Sequence, residues 1–375
     1  MKLFDVYPLY NVTPVSAKGS IVTDINGQDY WDFYGGHAVI SIGHGHPHYI
    51  KRLEDQLHKI GFYSNAIQNP LQTELATKLG ALSDCEDYNL FLCSSGAEAN
   101  ENALKMASFI TGKSRVIAFN NGFHGRTSAA VAATDNQNIN APINKQQKVT
   151  FLPFNAIDAF ESEIEKGDVC AVILEAIQGV GGLDEPSTEF YQKIVESCKK
   201  HHVILIADEV QSGFGRSGKF FGFQHHNIQP DIISIAKGMG NGFPVGGVLI
   251  HESIEAKYGM LGTTFGGNHL ACAASLAVLE VIEKEDLINN AAKIGVYFKE
   301  RAAEIPQVKN IKGRGLMLGL EFDFEVSELR KKLIYDQHIF TGGASNKKLL
   351  RILPALNISE KEIDIFFDAL KKELK

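Results

Sequence analysis

Between about residues 50 and 250 the chain alternates short β-branched runs with helical patterns, and this limits its fold more than any other feature. Strands alternating with helices build βαβ units and a sheet covered on both faces. The runs are Leu90–Cys93, Arg115–Phe119, Val149–Leu152, Val169–Leu174, Val203–Ala207, Ile232–Ala236 and Gly246–Ile250. They predict an α/β fold. In open α/β sheets ligands lie beyond the carboxyl ends of the strands, so the residues just after these runs are the candidates for chemistry.

The remainder predicts a smaller α+β part. A long helical pattern runs from Leu276 to Ile305, Leu316–Phe322 reads as a strand, and EKEIDIFFDALKKELK has the apolar spacing of a surface helix. Near the start, Asn26-Gly27 separates Ser20–Ile25 from Asp29–Phe33, the signature of a β-hairpin that could join this part. The expected division is an N-terminal segment, residues 1–42, packing with the small domain; a large domain, 43–277; and a small C-terminal domain, 278–375.

Composition narrows the function. Lys plus Arg number 37 against 44 Asp plus Glu, a net charge of -7, which argues against nucleic acid as a partner. The longest apolar runs, such as Val169–Leu174, fall far short of the roughly 20 residues that cross a bilayer. The first residues, MKLFDVYPLYNVTPV, hold no continuous apolar stretch of a secretion signal, so a cytoplasmic protein without a membrane partner is expected. The 5 cysteines form no C-x-x-C pair and read as reduced packing residues.

Three segments carry chemistry. FLCSSGAEANENALKMASFI is a strand, a small-residue turn and a helix, whose free N–H groups suit a phosphate, although an ordinary capped helix would look the same. HHVILIADEVQSGFGRSG leaves Asp208 and Glu209 at the end of a buried strand, where some cation should answer them, and its GFGRSG reads as a loop. PDIISIAKGMGNGFPVGG puts Lys237 directly after another apolar strand, where desolvation would free its neutral amine to attack an aldehyde. A lysine to hold an aldehyde, an acid to face a ring nitrogen and an anion cradle are together what pyridoxal phosphate requires.

The ordered motifs SGAEANE, FHGRT, DEVQ, AKGMGNGFPVGG and TTFGGN resemble those of the class III aminotransferases of fold type I, and within them the acetylornithine aminotransferases, from about Gly19 to Ile358. The resemblance implies a large domain with a mainly parallel seven-stranded sheet, pyridoxal 5'-phosphate as cofactor, and transfer of an amino group from an acylated ornithine to 2-oxoglutarate, giving glutamate. It implies that Lys237 holds the cofactor and carries the proton, that Asp208 keeps the pyridine nitrogen protonated, and that Val210 and Gln211 contact the ring. Phe123 would stack on the ring, and Ser95, Gly96 and Ala97 would hold the phosphate. Thr264 would donate to the phosphate of a neighbouring subunit's cofactor, with Thr263 beside it touching substrate, which implies a homodimer with shared active sites. Arg126 would take the α-carboxylate of the acylated ornithine and Arg351 that of glutamate, tasks that suit a planar bidentate fork.

Two departures bear on the substrate. The family's Glu-Pro-Ile-Gln-Gly-Glu stretch here reads Glu175-Ala176-Ile177-Gln178-Gly179-Val180, and His37 stands where relatives place Ile or Tyr. A protonated His37 at the acyl end would favour a second carboxylate. N-succinylornithine, ornithine and 4-aminobutyrate aminotransferases are the alternatives. His44, His46 and His48 alternate as metal ligands can, but the family has a metal-free turn there, so no metal is expected. His201-His202 and His225-His226 read as residues without partners.

Overall fold

The computed structural model describes every residue from Met1 to Lys375. Its strands are, in chain order, β1 Pro14–Lys18, β2 Ile21–Asp24, β3 Asp29–Asp32, β4 Tyr88–Cys93, β5 Arg115–Phe119, β6 Val149–Leu152, β7 Val169–Glu175, β8 Ile204–Asp208, β9 Ile232–Ile235, β10 Gly246–His251, β11 Asn310–Arg314, β12 Met317–Glu321, β13 Ile339–Phe340 and β14 Leu349–Ile352. All seven runs singled out in the sequence become strands of one sheet, ordered β4-β10-β9-β8-β7-β5-β6. Neighbours from β9 to β6 pair in parallel, whereas β10 pairs antiparallel with both β9 and β4. The fold is α/β with a mostly parallel sheet.

Why the strands are apolar throughout is visible in the packing. Along β5, Ile117 and Phe119 belong to one buried cluster while Val116 and Ala118 belong to another. The same split recurs along β8, with Leu205 and Ala207 on one side and Ile204 and Ile206 on the other. Alternate side chains point to opposite faces, so a sheet covered on both sides needs apolar residues at every position. Helix Gly96–Thr111 covers one face through Ala99, Ala103, Met106 and Ala107, small enough to lie close against the strands.

The predicted hairpin forms, with Ile21 opposite Trp31 and Gly27 at φ 79 in the turn. Its strand β3 continues into a parallel pair with β13, Ile339 opposite Trp31, so distant segments share one four-stranded sheet. A third sheet, β11-β12-β14, carries Arg351. One expectation is corrected: the helical pattern from Leu276 to Ile305 is two helices, His269–Lys284 and Leu287–Ala303. The break falls at Asp286, whose left-handed φ of 52 ends the first helix and redirects the second. No helix is long and apolar enough to cross a membrane.

Candidate active site

Two neighbouring strands deliver the central pair. β8 ends in Asp208, and two residues past β9 comes Lys237, held at φ 45. A left-handed φ is strained for a residue with a Cβ, and such strain persists where the surroundings over-determine it. Burial lowers the Lys237 pKa, partly opposed by the charges of Asp208 and Glu175.

Asp208 is 3% exposed, and both its oxygens are engaged. Oδ2 accepts from His124 Nδ1 at 2.7 Å and from Asn100 Nδ2 at 2.8 Å, while Oδ1 accepts from the Val210 N–H at 3.0 Å. Burial alone would push His124 down, but the hydrogen bond and charge of Asp208 outweigh it and raise its pKa. Asn100 also donates to the His124 carbonyl at 2.7 Å and accepts from Ser234 Oγ at 2.6 Å. Such a closed network fixes where the carboxylate points.

Glu209 has a different environment from the one its neighbour suggests. No cation answers it: its carboxylate accepts from the Gly222 and Phe223 N–H groups and from Ser212 Oγ, and burial pushes it up to about 7. Asp208 has His124 against it, whereas the expectation of a cation is corrected for Glu209, which ties down its own loop.

These groups open onto a cavity of about 430 Å³. Ser95, Gly96 and Ala97 form one wall at the start of helix Gly96–Thr111, with Ser95 Oγ accepting from the Glu98 N–H at 3.2 Å. The first N–H groups of the helix have no intrahelical acceptor, which makes this wall an anion cradle. Its glycine is required by space, because a Cβ on Gly96 would come 2.6 Å from Val210 Cγ1. Phe123 and Arg126 also line the cavity. Gln211 donates from Nε2 to the His37 carbonyl at 3.2 Å, leaving its Oε1 buried without a partner. A larger groove of about 1070 Å³, lined by Ile110, Val195 and Asp231, touches none of these residues.

The two arginines differ. Arg126 is exposed and makes no ion pair. Arg351 is 3% exposed, its Nε and Nη1 donating at 2.5 Å to the carbonyls of Gly343 and Gly179 and its Nη2 to Tyr34 Oη at 3.4 Å. No carboxylate pairs with it, and burial lowers its pKa.

His37 belongs to a left-handed turn, Gly35 to Ala38, with φ of 53, 54, 70 and 63. The turn is pinned by Asp32, whose Oδ1 accepts from the N–H groups of Tyr34 and Gly35. Tyr34 Oη meets His37 Nδ1 at 2.5 Å. Although His37 keeps solvent-accessible surface, desolvation together with the charges of Arg351, Lys237 and Arg330 pushes it down to about 4. The protonated form expected to favour a second carboxylate is therefore absent near neutral pH, a correction. Thr263 and Thr264 do not reach the cavity of Lys237: they flank a separate groove with Glu98 and Asn102, Thr264 exposed.

Residues 6–374 match the family model described as aminotransferase class-III. The chain belongs to the class III aminotransferases. It is similar to the acetylornithine aminotransferase of Bacillus subtilis (strain 168), 40% identical over 99% of this chain and 97% of that one, and to the enzyme of the same name from Archaeoglobus fulgidus, 38% identical over 96% and 95%. Among solved structures it resembles an ornithine aminotransferase from Toxoplasma gondii ME49, with TM-score 0.89, 27% identity and coverage of 98% and 91%.

This aminotransferase is pyridoxal phosphate-dependent, and its residues fit the group. The unpartnered Gln211 Oε1 is an acceptor aimed at a donor the chain does not supply, and Gly179 makes room for it, since a Cβ there would lie 2.1 Å from that oxygen. Sequence reasoning passed over several of the aminotransferase's groups. His124 sits inside FHGRT beside Phe123, and Asn100 inside SGAEANE, but nothing local marks either as a partner of Asp208. Ser234, Tyr34 and Glu175 went unassigned too. Glu175 is held by the Phe123 and Gly179 N–H groups at 3.0 and 2.8 Å, and burial raises its pKa.

The histidines are structural. His44 pairs with Asp32, His46 with Glu285 and His48 with Glu280, three separate acids. His225 and His226 do have partners, Ser217 and Thr188, which corrects the reading of them as unpartnered. All five cysteines are buried and free.

Proposed function

We propose that this aminotransferase moves the δ-amino group of N-acetyl-L-ornithine to 2-oxoglutarate, giving N-acetyl-L-glutamate 5-semialdehyde and L-glutamate in arginine biosynthesis. The observation that carries the reaction class is the placement of Lys237 and Asp208 at adjacent strand ends, facing one cavity that includes an anion cradle. The names of the relatives support the substrate.

When bound, pyridoxal phosphate supplies an electron sink that acidifies the C–H beside the nitrogen it holds. Lys237, its pKa lowered by burial, would hold the cofactor through Nζ and, once released, could move that proton. Asp208, oriented by His124 and Asn100, would keep the ring nitrogen protonated. Gln211, Val210 and Phe123 would hold the ring, and Ser95, Gly96 and Ala97 would hold the phosphate. Arg126 takes the α-carboxylate of acetylornithine and Arg351 that of glutamate, while His37 lines the substrate end as a neutral imidazole. The two half-reactions alternate, ping-pong, in one site.

The exposure of Thr264, and of Phe265 at 63%, supports a homodimer in which Thr264 reaches the partner's cofactor phosphate and Thr263 its substrate. We place the enzyme in the cytoplasm and divide the chain at residues 42 and 277. The deciding experiment compares kcat/KM for acetylornithine, succinylornithine, ornithine and 4-aminobutyrate with 2-oxoglutarate as acceptor. Acetylornithine is expected to lead. A protein that stays colourless with pyridoxal phosphate, or that borohydride does not label at Lys237, overturns the whole reading.

A further inference from the structure

Arg216, in the loop after β8, is 2% exposed and has no carboxylate partner. Its guanidinium is spent on three backbone carbonyls from distant parts of the chain. Nη1 donates to Leu316 at 3.3 Å and to Pro354, and Nη2 to Ile40 at 3.3 Å. Leu316 precedes β12, Pro354 comes three residues after Arg351, and Ile40 comes three residues after His37.

The junction is close-packed around these bonds. The Leu316 N–H donates to the Arg216 carbonyl at 2.9 Å, and a Cβ on Gly315 would fall 2.4 Å from the carbonyl carbon of Ser217. From Ile40 the connections reach the floor of the site: Ser41 Oγ donates to the Gly238 carbonyl at 2.7 Å, and the Leu356 N–H to the Ser41 carbonyl at 2.7 Å. The segments carrying Arg351 and His37 thus meet at one buried side chain, and Ser41 ties them to the segment of Lys237.

A buried cation with no carboxylate bonded to it, and only the charge of Asp32 nearby, is costly, and packing alone would be served by an apolar residue of similar volume. What the guanidinium adds is direction, because its donors form a rigid planar fork that a lysine cannot reproduce. We propose that Arg216 is a positioning residue for carboxylate recognition: it sets Arg351 and the His37 turn against the floor that holds Lys237 and Asp208. The proposal rests on the reading of Arg351 as the glutamate carboxylate's ligand.

The test uses the holoenzyme in four forms: parent, Arg216→Lys, Arg351→Met and the double variant. Single-turnover bleaching of the cofactor band is followed against glutamate and against pentylamine, which has no carboxylate. Arg216→Lys is expected to raise the saturation constant for glutamate by about tenfold, with the limiting rate and the pentylamine reaction little changed. In the Arg351→Met background the same substitution is expected to add nothing, because both act on one interaction. Slowing of glutamate and pentylamine alike, or full additivity in the double variant, overturns the proposal. So does an Arg351→Met variant weak for glutamate beside a normal Arg216→Lys. An unchanged glutamate constant in Arg351→Met overturns the reading of Arg351 and the proposal with it. Should Arg216→Lys not fold, Pro354→Gly loosens one acceptor without uncovering the charge; it is expected to show the same split, and its absence overturns the proposal.

Discussion

The floor and the rim of the cavity are built differently. On the floor, Asp208, Asn100 and Ser234, on strands of the central sheet and the helix that covers it, and His124, on the loop after β5, are all buried and joined in one hydrogen-bond network. On the rim, Arg126 is exposed. His37 stands on a strained left-handed turn, and Arg351 touches only neutral oxygens. Groups that must keep one geometry through every turnover sit on rigid strands, whereas groups that must exchange one carboxylate for another are left without a permanent partner.

The largest effects are expected on the floor. Lys237→Ala should lower kcat by about 10⁴-fold or more, since the residue serves both as tether and as proton carrier; substantial steady-state turnover in the variant would break the assignment. Asp208→Asn should cost about 10²–10³-fold in kcat, the usual weight of one preorganised charge. His124→Asn, which removes only the group orienting that charge, should cost about 10- to 100-fold with both KM values unchanged. Rate measurements on the pair would show whether the carboxylate or its network carries the effect.

Effects at the rim should be smaller and should appear in KM. Arg351→Met is expected to lose about 2 kcal/mol or more of glutamate binding, about thirtyfold in kcat/KM, and the exposed Arg126→Ala about 1 kcal/mol in the acetylornithine half-reaction. Equal losses would erase the distinction between the buried and the exposed cation. Val180→Glu should lie between them. Gly179, whose carbonyl accepts from Arg351 at 2.5 Å, is its chain neighbour, so a carboxylate at position 180 could pair with that guanidinium and would have to be displaced by glutamate. A slowing of the glutamate half-reaction by about 1–2 kcal/mol is expected from breaking such a pair.

The smallest effect is one of pH. Burial, with Arg314 nearby, pushes His226 down to about 4 from an ordinary 6.5. The unfolded chain therefore binds a proton first as pH falls, so this residue lowers stability progressively between pH 6.5 and about 4. Denaturant titrations of parent and His226→Gln should diverge in that window, with the flatter profile in the variant. His37 is held neutral in the same range, so the activity of His37→Asn should keep the parent's pH profile from 6 to 8.

Sequence by itself determined the sheet and the chemistry at its strand ends. Seven apolar runs could be placed because a strand buried on both faces has no choice but to be apolar, and Lys237 and Asp208 stood out because charges following such runs are rare. The Asn26-Gly27 hairpin was legible for the same local reason, since its turn needs a positive φ. Tertiary structure decided everything that depends on residues far apart in the chain. His124 lies 84 residues from the Asp208 it orients, and Arg216 lies 138 and 176 residues from the carbonyls of Pro354 and Ile40. It also decided that Glu209 is answered by backbone N–H groups, that one helical pattern breaks at Asp286, and that His37 is neutral. Local patterns record propensity and burial. Which polar groups meet inside, and so which protons they hold, is set only when the chain has folded around them.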